Sequence, residues 1–127
     1  MDWEAAKSHC AAQGEGWRLP SVDELRSLIV GCPKTGTGGG CAVTERCLFW
    51  SKCRNDDCGG CEQGKETRAV CTWPTALKGE CIWYWSSSPD ADRPLSAWYV
   101  FFYDGSVNVN GVLGSMHVRC VRQKAAP

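Results

Sequence analysis

Apolar positions fall into three regimes along the chain. In the first, Trp3, Ala6 and Cys10 recur at helical spacing. Asp2 is placed to cap the start and Gly14 to take the left-handed stop, so the pattern predicts a short helix over residues 3–13. Trp17-Arg18-Leu19 reads as a brief extended piece ending at Pro20. Ser21-Val22-Asp23-Glu24 is a capping box, with Ser21 as N-cap and Glu24 three residues in. Val22, Leu25, Leu28 and Ile29 form the buried stripe of a second helix that stops at Gly31.

From Gly31 to Cys81 periodicity vanishes. Glycines cluster at Gly38-Gly39-Gly40 and Gly59-Gly60, and eight of the ten cysteines fall here. Apolar burial alone cannot order such a segment, so crosslinks are expected to do so. Residues 32–81 are read as one cystine-knotted insertion within a single domain spanning 1–127.

From Ile82 onward the pattern is that of β structure. Ile82-Trp83-Tyr84-Trp85 leads into Ser86-Ser87-Ser88-Pro89 and a polar loop. Residues 97–103 are apolar on both faces, as a central strand covered on each side would be. Asp104-Gly105 is a hairpin signal, residues 106–109 return, and Asn110-Gly111 offers a second turn. Residues 116–122 are expected to form the last strand. Trp17, Trp83, Trp85 and Trp98 fall within regular elements and are assigned to the core. The order of two helices, a long loop region and a small antiparallel sheet predicts an α+β architecture.

Composition narrows the partners. Fourteen Lys plus Arg balance fourteen Asp plus Glu in 127 residues. A neutral chain without a basic stripe has no electrostatic footprint for nucleic acid. No stretch approaches the roughly 18 apolar residues of a membrane span, so no membrane insertion is expected. Ten cysteines in so short a chain point to an oxidising compartment, extracellular or cell envelope. No signal peptide opens the sequence, which is read as a segment of a longer exported protein.

Three stretches carry a family resemblance: Gly16-Trp17-Arg18-Leu19-Pro20 running to Glu24-Leu25, then Tyr84-Trp85-Ser86-Ser87-Ser88, then Ala97-Trp98-Tyr99-Val100 through Gly105-Ser106-Val107 to Val118-Arg119-Cys120-Val121-Arg122. In this order they resemble the bacterial Lcl C-terminal domain family, close in pattern to the Fibrobacter major paralogous domains. The resemblance covers residues 3–122 apart from the insertion. It implies a C-type-lectin-like fold, with two helices packed on a small antiparallel sheet and a long Cys-rich loop insertion. It also implies a surface location, ligand binding, and a link between Cys10 and Cys120 that ties the ends of the fold together. Such a loop stabilises by roughly 4–5 kcal/mol in the chain-entropy model. The pairing of Cys32, Cys41, Cys47, Cys53, Cys58, Cys61, Cys71 and Cys81 is left open. Two departures stand out. Family members begin with a strand before the first helix, so the sheet here offers an open edge for self-association. The calcium motifs of sugar-binding animal lectins are absent, so no cofactor is expected, and calcium has no motif to support it.

The candidate chemistry favours binding over catalysis. Cys58-Gly59-Gly60-Cys61 is a Cys-x-x-Cys that zinc could use, but no second such motif completes a site. His9 and His117 have no evident nucleophile, and Ser86-Ser87-Ser88 lacks a nucleophile elbow; those hydroxyls suit backbone groups at a strand end. Asp56-Asp57 and Asp90/Asp92 read as solvated loop carboxylates. The fold type directs ligands to the loops and to exposed faces of the last strands. Here that means Asp90, Asp92, Arg93, Tyr103, Asp104, Asn108, Asn110 and His117, a mixture suited to sugar hydroxyls or a protein epitope. The expected function is a non-enzymatic ligand-binding or adhesion module for a glycan or protein. The alternatives are a structural block of a surface assembly, or a thiol or metal enzyme related to formylglycine-generating enzymes.

Overall fold

Asp2 Oδ1 accepts the Ala5 N–H at 2.8 Å and so starts helix α1, Trp3–Ala11, in the computed structural model, which describes residues 1–61, 72–74, 77 and 79–122. The helix buries Trp3, Ala6 and Cys10, as its spacing predicts, and ends two residues early. Helix α2, Val22–Arg26, carries the full capping box. The sequence pattern extends it to Gly31, but regular winding stops at Arg26. Leu28 and Ile29 keep their places in the core through tighter bonds to the carbonyls of Leu25 and Arg26. Val30 N–H then leaves the helix axis for the Thr72 carbonyl at 2.8 Å.

Strands β2 (Trp83–Pro89), β3 (Ser96–Phe101) and β4 (Ser106–Gly111) form an antiparallel sheet in that order, with β3 central. A separate two-residue ribbon pairs β1 (Trp17–Arg18) with β5 (Val121–Arg122). The expected last strand over 116–122 is therefore mostly not one. Its first part instead lies along β2, where His117 bridges Tyr84 in parallel, and only its end reaches β1. A segment that changes partners midway cannot keep one ladder. The Asp104-Gly105 turn forms as predicted, with Gly105 at φ +79°. Asn110 and Gly111 stay in β4, and the next turn comes one residue later.

The central strand is covered on both sides. Trp98, Val100, Phe102, Tyr84 and Val107 pack with Val22, Leu25 and Ile29. Ala97 and Trp85 pack on the other side with Trp3, Ala6, Cys10, Leu19 and Met116. The insertion adds Cys32, Cys41, Val43, Cys53, Cys58 and Trp73 to the first cluster. It thus shares the main core, where the sequence suggested crosslinks alone. It also holds a short helix α3, Trp50–Cys53, and a 3-10 turn, Asp56–Gly59. The architecture is mixed α+β with a few short helices and small antiparallel sheets.

Disulfides join Cys10–Cys120, Cys32–Cys61, Cys41–Cys58 and Cys47–Cys53. Cys81 is disulfide-bonded as well, and Cys71 lies outside the described residues. Four disulfides point to an oxidising environment. Cys58 and Cys61 bond to different partners, so that motif is neither a chelate nor a dithiol.

Replacing both Cys10 and Cys120 by Ala should lower unfolding free energy by about 4 kcal/mol, read from urea denaturation. A second expectation concerns acid. Bidentate contact with Arg18 (2.6 and 2.7 Å) is the main force lowering the Glu24 pKa, from 4.5 to about 2, with help from Ser21. A depressed carboxylate contributes stability above its unfolded pKa and loses it as the pH falls through the folded one. The urea midpoint should therefore drop between about pH 4.5 and 2, and less steeply in Glu24→Gln. The difference stays modest because the pair is solvent-screened.

Candidate functional site

The loop after β2 approaches the insertion, and its carboxylates cap α3 from outside. Phe49, the N-cap residue, has no side-chain acceptor for the first helical amides. Asp90 Oδ1 takes the Trp50 N–H at 3.3 Å and the Asp92 N–H at 2.9 Å. Asp92 Oδ2 takes the Ser51 N–H at 2.6 Å, the first cause of a lowered Asp92 pKa. Asp90 is only 2% exposed, which corrects the reading of it as a solvated loop carboxylate. Its burial follows from this cap and from Ala91 N–H bonding to the Leu48 carbonyl at 2.9 Å. Asp92 stays at the surface. Beside them the Arg93 guanidinium lies 4.6 Å from the Trp50 ring centroid. The Trp50 indole N–H donates to Asn108 Oδ1 at 3.1 Å.

The other sequence candidates lie elsewhere. Asp104 Oδ1 accepts the Ser106 N–H at 2.9 Å, closing the β3–β4 turn. Asn110 Nδ2 reaches the Gly111 carbonyl at 3.4 Å. His117 Nε2 sits 2.9 Å from Glu80 Oε2, with its ring edge-on to Tyr84 at 5.8 Å. The eight candidates therefore divide among the α3 cap, the β3–β4 side and the outer edge of β2. No single spot gathers them.

An exposed aromatic surface that the sequence reading missed lies on the open end of the sheet. Trp83, expected in the core, is 43% exposed. It shares a face with Trp85, which the α1 cluster covers completely, but that cover does not extend to Trp83. Trp83 is the cross-strand partner of Phe101, and their rings stack at 4.7 Å with 11° between planes. Phe101 stacks in turn on Tyr103 at 5.7 Å and 29°. The signal was present as period-two aromatics, Trp83/Trp85 and Phe101/Tyr103, but periodicity does not say how far a covering helix reaches. Ser106 lies opposite Phe101 on β4, and Asn108 opposite Tyr99. Burial raises the Tyr99 hydroxyl pKa, while Arg54 and Asp104 act on it in opposite senses. The Trp83 indole N–H has no hydrogen-bond partner among the described residues.

Both sheet edges carry bonds. On β2, Trp85 N–H donates to His117 O at 3.1 Å, and Ser87 N–H to Pro20 O at 2.7 Å. On β4, Arg54 Nε donates to Val107 O at 3.2 Å and Val109 N–H to Asn108 Oδ1 at 2.9 Å. The serine run is structural. Ser86 Oγ donates to Trp98 O at 2.7 Å and accepts the Ser88 N–H at 3.0 Å, and Ser88 Oγ accepts the Val22 N–H at 2.9 Å and donates to Glu45. Among the described residues no group of three His, Cys, Asp or Glu side chains could hold a metal ion. No helix there is long and apolar enough to cross a membrane.

Asp90→Ala should cost about 0.5–2 kcal/mol by leaving the part-buried Trp50 and Asp92 amides without their acceptor. Hydrogen exchange should then rise at Trp50 and Asp92 before it rises in β3; unchanged protection at both amides would refute the capping role.

No curated protein matches the chain, and no solved structure does. The model of one family, the Lcl C-terminal domain, matches residues 1–122. That match runs from the first residue of the chain through both strands of the β1–β5 ribbon, and the chain belongs to the Lcl C-terminal domain family.

Proposed function

We propose that this domain is a non-enzymatic ligand-binding module of an exported bacterial protein, engaging a glycan or a protein through the open end of its sheet. The reading includes the C-type-lectin-like fold and the kinship to Fibrobacter major paralogous domains that the sequence resemblance implies. One observation carries it: Trp83, Phe101 and Tyr103 form a stacked aromatic row at the surface, with Trp83 43% and Tyr103 39% exposed. Exposed large aromatics on a rigid sheet offer wide contact area at low conformational cost, the usual anchors of recognition surfaces. Ser106 lies opposite Phe101 and Asp104 follows Tyr103 in the chain, and both bring donors and acceptors beside the row. In this reading the row and its polar surround replace the loop set as the binding surface. Asp90 and Asp92 support it from behind, through α3.

The alternatives draw less support. A thiol mechanism needs a free thiol, and every described cysteine is disulfide-bonded. Assembly through an open sheet edge needs unpaired backbone, and the edges of β2 and β4 already carry the bonds described above.

Binding of the folded chain to immobilised glycan and extracellular-protein panels, with and without a calcium chelator, tests the proposal. Saturable, chelator-insensitive binding that weakens at least about tenfold in Trp83→Ala is expected, with the melting temperature little changed. Absence of saturable binding to both panels would overturn it.

A further inference from the structure

We infer that Trp83 is the platform for a pyranose ring of a neutral glycan, held by its C–H face and without a metal ion. This inference rests on the binding reading above and gives its ligand a chemistry.

Three features of Trp83 lead there. Its inner face is fixed against Phe101 by near-parallel stacking, so little rotamer freedom is left to lose on binding. Its exposed remainder is an apolar π surface whose face carries partial negative charge. Polarised C–H groups complement such a face, and pyranose rings present several of them on one side. The indole N–H at the ring edge has no partner among the described residues. An apolar face beside an unused donor matches a sugar, whose C–H face is rimmed by hydroxyl acceptors.

The surroundings bear on the charge of the ligand. Arg54 and Asp104 act on the neighbouring Tyr99 hydroxyl with opposite sign, so the two charges there oppose one another. A sulfated or uronic chain would meet Asp104 and the negative ring face as well as Arg54. Shape points the same way. Two cavities among the described residues, of about 510 and 360 Å³, lie by the glycine-rich loop of the insertion and by α2, lined by Gly31 and Pro33 or by Asp23 and Thr44. The aromatic row is open surface, which suits one face of an extended chain better than an enclosed small molecule.

The test is a nitrogen-15 NMR titration of the intact chain with neutral tetrasaccharides of glucose, mannose, galactose and N-acetylglucosamine, with a hyaluronan tetrasaccharide as charged control. The Trp83 indole N–H resonance is assigned by its loss in Trp83→Phe. At least one neutral sugar should shift that resonance saturably, unaffected by a chelator. Affinity should fall at least about tenfold in Trp83→Ala, be partly retained in Trp83→Phe, and weaken severalfold in Phe101→Leu, which removes the ring behind the platform. If neutral sugars leave the Trp83 resonance unmoved while the charged control or a protein from the panels binds, the neutral-glycan inference is overturned and the binding reading stands. If nothing binds in either experiment, both fall.

Discussion

A buried guanidinium ties the cysteine-rich insertion to the rest of the molecule. Arg26, at the end of α2, is 3% exposed, and no carboxylate among the described residues accepts a hydrogen bond from it. Its nitrogens donate to the carbonyls of Thr35 at 2.6 Å, Gly36 at 3.0 Å, and Val43. Burial disfavours the charged form and lowers the Arg26 pKa, although the group remains a cation at any ordinary pH. A buried charge costs several kcal/mol unless dipoles surround it. Three carbonyls from one loop can do so only when that loop is folded. The beginning of the insertion is therefore shaped around Arg26, and Cys32–Cys61 and Cys41–Cys58 fasten its later part. Trp50 and Arg54, which reach Asn108 and the Val107 carbonyl on β4, lie inside the loop that Cys41–Cys58 closes.

The sequence disclosed what depends on near neighbours. The caps of Asp2 and Ser21, the turn at Gly105 and the Val22/Leu25 part of the α2 stripe each involve residues a few positions apart, and each is found where the pattern placed it. Distant cover was not readable. Trp85 and Trp83 have the same spacing and the same chemistry, yet one is fully buried and the other open, because the cluster around α1 covers only the first. Asp90 fails for a related reason. Its neighbours Pro89, Ala91 and Asp92 look like a solvated loop, and only the approach of α3, 40 residues earlier, buries it.

The same limit explains why the ligand-binding candidates scattered. Of the residues chosen as polar and near turns, Asp104 closes its turn, Asp90 and Asp92 brace a helix, and Asn110 stays within β4. The surface with contact area to offer was hidden in an apolar run that reads as core. Family membership fixes which segments belong together. It leaves open which of their side chains remain uncovered, and in this chain that depends on how far α1 extends over the sheet.

The occupied flanks of β2 and β4 matter for how the domain behaves at high density. On β2 the backbones of His117 and Pro20 take up the Trp83 carbonyl and the Trp85 and Ser87 amides, and on β4 Arg54 and the Asn108 side chain take up the Val107 carbonyl and the Val109 amide. A neighbouring copy approaching either flank would have to displace those bonds before adding a strand of its own there.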